Sequence, residues 1–275
     1  DLGMQRSDRH GNAFTLVELL VQLAIQVILL ALLVPSMGRS REITRRAMCE
    51  SNLKQIHNSV TTYAVANRNE LIICRGRGVQ KAFHPANIHT YRNFPEDAKT
   101  DWIEALRSVD LMVGDKVDLG GGYMHYLPSK VWNCPSRDYE SQWELAFPQL
   151  VVGYQYFGGI HIWSNPWGNF PSRSPQRLGS SKPTWVLGAD SVMKIDFEWG
   201  GGRGTAYRDL PSHKARGEAY PEGGNHVHMD GSAQWIPFEK MIYIHTWNTG
   251  GAREAYFYQS DLGEFVPPPE AHAVP

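Results

Sequence analysis

The fold is decided near the N-terminus by one long apolar run, FTLVELLVQLAIQVILLALLV, at residues 14–34. If these 21 residues form a helix, it extends about 30 Å, which matches the hydrocarbon thickness of a bilayer. The run carries one formal charge, Glu18, and two amides, Gln22 and Gln26. A charge inside such a segment is energetically costly and usually has a partner. The run therefore predicts a transmembrane helix whose acid has a specific partner.

The three polar side chains of this run follow a regular spacing. Glu18, Gln22 and Gln26 recur every four residues, so a helix places them along one stripe. Packed helices in apolar surroundings gain roughly 0.5–2 kcal/mol from each amide hydrogen bond that they form with one another. We therefore hypothesise that the stripe forms a polar seam between neighbouring helices of an assembly. The alternative is that both glutamines are tolerated without a role.

The composition outside the run indicates a β-rich domain. The chain has 275 residues and a formal net charge of −1, which excludes a polycation that binds nucleic acid by neutralising phosphates. Mean hydropathy is −0.39 although 42% of the residues are hydrophobic, so the apolar content is concentrated in the run. Nine Trp and twelve Tyr, together with 26 Gly and 17 Pro, are typical of a turn-rich β domain with aromatic packing.

A second helical segment, residues 35–68, connects the run to this domain. Pro35 removes a backbone donor and clashes with the preceding turn, which predicts a kink or a short melted stretch. Apolar positions then recur at spacings of four and three on an otherwise polar helix: Cys49, Leu53, Ile56, Val60 and Tyr63. We expect this stripe to pack on a globular head and Cys49 to be a buried core thiol.

The head, residues 69–266, consists of short patterns. Segments rich in β-branched and aromatic residues, such as VVGYQYFGGIHIW at 151–163, are broken by Gly, Pro and Asn and predict short strands. The segment DWIEALRSVDLM, residues 101–112, predicts a short helix that an Asp opens. Ser and Pro in the loop at 165–183 would permit O-linked glycans, and the Pro-rich residues 267–275 predict an extended tail.

No motif in the sequence indicates catalysis or cofactor binding, so we expect a protein that is not an enzyme and needs no cofactor. The strongest ligand pattern is His226, His228 and Asp230, which puts two imidazoles and a carboxylate on one face of a strand. We expect no metal there, because no fourth ligand is indicated. Instead, Asp230 and Gly231 would form a hairpin turn with both histidines facing solvent.

The cysteine count is low and odd. Cys49, Cys74 and Cys134 form no C-x-x-C motif, and they define no disulfide framework. If the head is exported, one pair could form a disulfide, and the sequence alone does not fix which pair. The candidate pair is Cys74 and Cys134.

The N-terminal region resembles a known processing site. FTLVELL, the apolar run, Pro35 and the polar helix that follows are similar to type IV prepilins and type II secretion pseudopilins. The resemblance implies that a prepilin peptidase cuts between Ala13 and Phe14 and methylates the new amine. It also implies that Glu18, the fifth residue of the mature chain, meets the N-terminal amine of a neighbouring subunit. The family has Gly where this chain has Ala13, so an uncleaved leader, residues 1–13, is the alternative.

The head resembles a second group of sequences. The segments CESNLKQIHNSVTTYAVAN, WNCPS, VLGADS and GGNHVHMDGSAQW are similar to the large pilin-like proteins common in planctomycetes. Those proteins carry a C-terminal signature of His, nine residues and then Asp-Gly. Asp230 and Gly231 match it, but Tyr220 stands at the histidine position. Any role of that histidine therefore does not transfer to this chain.

Together these features predict an α+β protein, with a long N-terminal pilin-like helix kinked near Pro35 and packed on a β-rich globular head. The expected function is a structural subunit of an extracellular pilus-like filament or tube. Its expected partners are copies of itself, the prepilin peptidase and assembly machinery, and the inner membrane before assembly; nucleic acid is not expected. The alternatives are a minor pseudopilin of a type II secretion system and a membrane-anchored surface protein that binds glycans or a metal.

Overall fold

A computed structural model describes residues 15–73, 87–89, 102–118, 124–144, 149–201, 207–246 and 253–274. The described residues form a mixed α+β protein with a β-rich head, and this part of the predicted fold class is confirmed. The chain divides into two compact units, Asp1–Ile43 and Thr44–Pro275.

Helix α1 comprises Leu16–Ala66. It continues through Pro35, so the melted stretch that we considered at this proline is absent. Within the first unit, the large apolar side chains from Leu16 to Leu32 are 49–73% exposed. No helix in the described part of the chain is long and apolar enough to cross a membrane.

In the second unit, α1 buries one face. Four of the five predicted stripe positions are buried, namely Cys49, Leu53, Ile56 and Val60. Tyr63 is only partly buried and packs against the core, and the next residue, Ala64, takes the fully buried position instead. Burial of each Leu, Ile or Val side chain contributes about 1.5–3 kcal/mol, so this face stabilises the attachment of residues 44–66 to the strands.

The head contains fourteen short described strands and one short helix. In chain order they are β1 Asn87–His89, α2 Trp102–Arg107, β2 Met112–Asp118, β3 Met124–Pro128, β4 Gln142–Glu144, β5 Gln149–Val151, β6 Tyr154–Tyr156, β7 Ile162–Asn165, β8 Gly168–Pro171, β9 Val186–Asp190, β10 Met193–Ile195, β11 Gly223–His228, β12 Ala233–Pro237, β13 Ile242–His245 and β14 Arg253–Phe257. Single 3₁₀ turns lie at Lys130–Trp132, Phe238–Lys240 and Pro269–Ala271.

An antiparallel four-stranded sheet in the order β12-β11-β9-β6 is the largest described sheet. The other sheets are β1-β5-β4, β10-β14-β13 and the hairpins β2-β3 and β7-β8. All six residues of β11 are buried, as are all five of β9. The helix face and this sheet belong to one hydrophobic core, in which Leu53 and Ile56 lie with Leu187 and Val227.

Two predictions, one for the head and one for the tail, need correction. The short helix expected at 101–112 is α2, which ends at Arg107; a turn follows, and β2 begins at Met112. The tail is not simply extended: it forms a 3₁₀ turn, and Ala271 and Ala273 are buried. Ala273 donates its N–H to the Met241 carbonyl at 3.0 Å, which holds the tail on the head.

Candidate functional site

The first turn of α1 satisfies Glu18 within its own chain. One carboxylate oxygen of Glu18 accepts from both the backbone N–H and the hydroxyl of Thr15, each at 2.8 Å. The Glu18 N–H in turn donates to the Thr15 hydroxyl at 3.2 Å. This reciprocal pair is a capping box, in which a Thr and a Glu three residues later satisfy each other's backbone donors. The letters T-x-x-E at residues 15–18 are the sequence signal for this cap, and the sequence-based prediction for Glu18 did not include it.

The remaining residues predicted for assembly and processing are only partly described. Gln22 and Gln26 are exposed on α1, at steps of four residues from Glu18. Ala13 and Phe14 lie outside the described residues. Pro35 belongs to the helix, but its side chain lies outside the description.

A second group of chemically active side chains lies inside the head, where no sequence motif predicts one. Cys49 of α1, Cys134, Asp190 at the end of β9 and His213 are all buried, and their ligand atoms all lie within 4.8 Å of one another. The Cys49 and Cys134 sulfurs are 3.0 Å apart. Nε2 of His213 is 3.0 Å from Oδ2 of Asp190.

Cys134 reaches this position because a glycine lets two backbone segments approach. The Gly153 N–H donates to the Trp132 carbonyl at 2.9 Å, just before Cys134. A Cβ at residue 153 would lie 2.5 Å from the Trp132 oxygen and 2.8 Å from the Cys134 nitrogen. Real Cβ contacts are not that short, so only glycine fits without moving the loop.

His213 is held by backbone and side-chain contacts on several sides. Its φ of 55° is in the left-handed region, which His tolerates better than most residues. Nδ1 of His213 is 2.8 Å from the Ser136 hydroxyl. The Ser212 N–H donates to the Ser191 carbonyl at 2.9 Å, and the Glu222 N–H donates to the His213 carbonyl at the same distance. These contacts direct Nε2 of His213 toward Asp190.

Asp190 has one satisfied oxygen and one unsatisfied oxygen. Oδ2 accepts from the Asn225 backbone N–H at 2.6 Å and from the Asn225 side-chain amide at 2.9 Å. The same amide also donates to the Arg46 carbonyl at 3.1 Å, which connects the carboxylate to α1. Oδ1 is fully buried and has no hydrogen-bond partner among the described residues.

The two thiols differ in their tendency to ionise. Burial raises the pKa of Cys134, but hydrogen bonds from Cys49 and His213 outweigh it and lower that pKa to about 6. The hydrogen bond with Cys134, followed by burial, raises the pKa of Cys49 far above its usual value. The pair therefore loses its first proton readily and holds the second. Arg137 is buried nearby, and its positive charge interacts with Cys134.

The three residues of the ligand pattern seen in the sequence, His226, His228 and Asp230, do not form one site among the described residues. His226 and His228 are buried in β11, so the prediction that they face solvent is wrong. Nδ1 of His226 is 3.1 Å from the Gly224 carbonyl, and its Nε2 accepts the Tyr258 N–H at 3.0 Å. Asp230 is exposed in the turn and accepts the Ser232 N–H. Within the described residues, these three do not form a metal-ligating group.

Only one of the two cysteines in the predicted disulfide pair belongs to the described residues. Cys74, half of the predicted disulfide pair, lies outside the described residues. Its predicted partner Cys134 lies against Cys49 instead, and both are free thiols. Cys49 is buried as expected, but it also has chemically active neighbours.

The described chain is thus an α+β protein with a capped N-terminal helix and a buried cluster of two thiols, a carboxylate and an imidazole. Comparisons with protein-family models, curated proteins and solved structures found no match to this chain.

Proposed function

We propose that the chain is a structural subunit of an extracellular pilus-like filament or tube. It assembles through its apolar N-terminal helix against the same helix of other copies. The observation that carries the proposal is the run of large apolar side chains from Leu16 to Leu32, all 49–73% exposed within their own unit. A continuous apolar surface of this kind marks a surface that is covered by a partner or by lipid.

The polar positions of this helix favour a second copy as the final occupant. Lipid offers no hydrogen-bond partner for Glu18, Gln22 and Gln26, whereas a neighbouring helix with the same stripe does. The capping box gives Glu18 a partner before assembly, since Thr15 donates to its carboxylate twice. Cleavage between Ala13 and Phe14 would create a free amine on Phe14, next to the capping residue Thr15. The amine of a neighbouring subunit can then compete for the same carboxylate.

In this proposal the precursor waits in the inner membrane, and the prepilin peptidase and assembly machinery convert it into a surface filament. In this role α1 serves as the pilin-like helix, with the kink that Pro35 predicts, and the head forms the outer wall. The role is structural and needs no catalytic group. Propagation of a filament requires heterologous contacts between the head domains of neighbouring subunits, in which two different surfaces meet and the repeat does not close.

Electron microscopy of sheared surface fibres, combined with mass analysis of the subunit N-terminus, tests the proposal. We expect fibres from the native chain, with subunits that begin at a methylated Phe14. Glu18→Leu should abolish fibres while the subunit remains in the membrane fraction, because it removes the acid that binds the neighbouring amine. Val17→Leu is the matched control and should leave fibres intact.

Two results would contradict the proposal. One is a native chain that stays monodisperse in detergent and yields no fibres when the assembly machinery is present. The other is normal fibre yield from Glu18→Leu, which would indicate a plain membrane anchor. Scarce subunits that enter fibres only with other pilin-like chains would instead identify a minor pseudopilin.

A further inference from the structure

We propose that Cys49, Cys134, Asp190 and His213 bind one zinc ion in a closed, four-ligand structural site. The site lies wholly within the second unit and joins α1 to three segments of the head. The proposal does not rest on the filament function, because every contact that supports it is inside one chain.

The donor set matches zinc. Protein zinc sites combine cysteine thiolates, imidazole nitrogen and carboxylate oxygen in tetrahedral geometry. Two thiolates disfavour magnesium and calcium, which prefer oxygen ligands. Four protein ligands leave no open position for water or substrate, which is typical of structural rather than catalytic zinc. All four ligands are buried, in agreement with a structural role.

The spacing of the donors fits an ion at their centre. Zn–S bonds of about 2.3 Å and Zn–N or Zn–O bonds of about 2.0–2.1 Å separate tetrahedral donors by roughly 3.3–3.8 Å. The two sulfurs are 3.0 Å apart, and Nε2 of His213 is 3.0 Å from Oδ2 of Asp190. One ligand atom from each of the four residues lies within 4.8 Å of the other three. Small outward shifts of side chains would accommodate the ion.

The charges of the cluster call for a cation. Oδ1 of Asp190 is buried without a hydrogen-bond partner among the described residues, and the Asp190 carboxylate belongs to the same buried cluster as two ionisable thiols. An unsatisfied buried carboxylate is costly unless a cation or donor meets it. With both thiols ionised, two thiolates, one carboxylate and Zn²⁺ leave one net negative charge. Arg137, which is buried and interacts with Cys134, offsets that charge.

An outer layer of hydrogen bonds already orients the ligands. Ser136 holds Nδ1 of His213 at 2.8 Å, which leaves Nε2 for the ion. Asn225 holds Oδ2 of Asp190 through two donors, which fixes the orientation of the carboxylate toward the cluster. Metal-binding histidines and carboxylates characteristically have such second partners, which fix their orientation.

A disulfide between the two cysteines explains fewer of the observations. Bonded sulfurs lie about 2.05 Å apart, whereas these are at 3.0 Å. A disulfide would also leave Asp190 and His213 beside a neutral group, with the buried Oδ1 still unsatisfied. It is nevertheless the alternative that an experiment has to distinguish.

Elemental analysis of the full chain, purified in detergent without chelators or a polyhistidine tag, tests the proposal. We expect about one tightly bound zinc per chain. Cobalt substituted for zinc should show the intense visible absorption of tetrahedral cobalt together with sulfur-to-cobalt charge transfer. Asp190→Asn and His213→Asn should lower metal content, whereas His228→Asn and Asp230→Asn should leave it unchanged.

Ser136→Ala tests the zinc site even if a ligand variant fails to fold. It retains all four ligands and removes only the orienting hydroxyl, so it should fold and bind zinc about 10–100-fold more weakly in competition with a chelator. Loss of a ligand should weaken binding further than that.

Three results would overturn the zinc site. The first is folded protein with two free buried thiols that takes up neither zinc nor cobalt. The second is a mass that shows a Cys49–Cys134 disulfide and no metal. The third is metal that His228→Asn removes and His213→Asn does not. None of these results bears on fibre formation, so the zinc site and the filament function can fail separately.

Discussion

The sulfurs of Cys49 and Cys134 lie 3.0 Å apart, although 85 residues separate them along the chain. Cys49 belongs to the buried face of α1, and Cys134 follows a 3₁₀ turn of the head. Their contact joins residues 44–66 of α1 to the head, next to Asp190 and His213. Changes at this contact should therefore affect stability and ligand chemistry together.

Gly153→Ala should disturb the site without touching a ligand. The added Cβ would lie 2.5 Å from the Trp132 carbonyl oxygen, so the loop that carries Cys134 must move. We expect a loss of about 1–3 kcal/mol in the free energy of unfolding and a lower zinc content. Gly179→Ala is the control, because its Cβ meets nothing within 4 Å. Chemical denaturation and elemental analysis check both; equal behaviour of the two variants would contradict the prediction.

Leu53→Ala should show how strongly α1 is held to the head. Leu53 is fully buried in the main core, so its truncation should cost about 2–5 kcal/mol in the free energy of unfolding. Val65→Ala on the same helix is the matched control, since Val65 is 72% exposed and should change stability by less than about 0.5 kcal/mol. Denaturation of the full chain in detergent gives both values. A small effect at Leu53 would mean that α1 packs weakly.

His226 should make the head less stable in acid. Burial lowers the pKa of His226 to about 4, from 6.5 in an exposed histidine; Asp190 acts to raise it and His228 to lower it. Between pH 6.5 and 4 the unfolded chain binds a proton that the folded chain does not, so stability falls as the pH falls. The total loss should be on the order of 3 kcal/mol, and it should level off below the folded pKa.

Comparison of the native chain with His226→Gln isolates this titration. Groups that both proteins share cancel in the difference between their unfolding free energies. The difference should change over pH 6.5 to 4 and stay constant above that range. Parallel pH profiles over the whole range would rule out a buried neutral His226.

Thr15→Ala should weaken the first turn of α1. It removes the hydroxyl of the capping box, whose loss costs about 0.5–2 kcal/mol at a helix N-terminus. Hydrogen exchange should report faster exchange of the Glu18 and Leu19 amides. Thr15→Ser keeps the hydroxyl and should preserve their protection. If Thr15→Ala and Thr15→Ser exchange alike, the capping box does not hold in solution.

Local patterns in the sequence correctly predicted part of this structure. The spacing of Cys49, Leu53, Ile56 and Val60 predicted a buried helix face because the α-helix has a fixed period. The letters T-x-x-E at Thr15 encode the cap of α1 for the same local reason. The strand patterns also indicated a β-rich head, although the bounds of individual elements and the packing of the tail differed.

The orientation of His226 and His228 depended on the sheet. As a hairpin alone, the segment would expose these histidines, and this was the basis of the wrong prediction. In the structure β11 lies between β9 and β12, and all six of its residues are buried. A strand's own pattern does not state how many of its faces are covered, because the covering residues come from elsewhere in the chain.

The sequence by itself determined where α1 runs apolar, where it is capped and which of its faces is buried, since each depends on residues within a few positions of one another. Only the tertiary structure decided that Cys49, Cys134, Asp190 and His213 meet. Their positions follow no motif spacing, because each comes from a different element and their convergence results from packing of the whole head. Long-range packing, unlike helix periodicity, leaves no short signature in the chain.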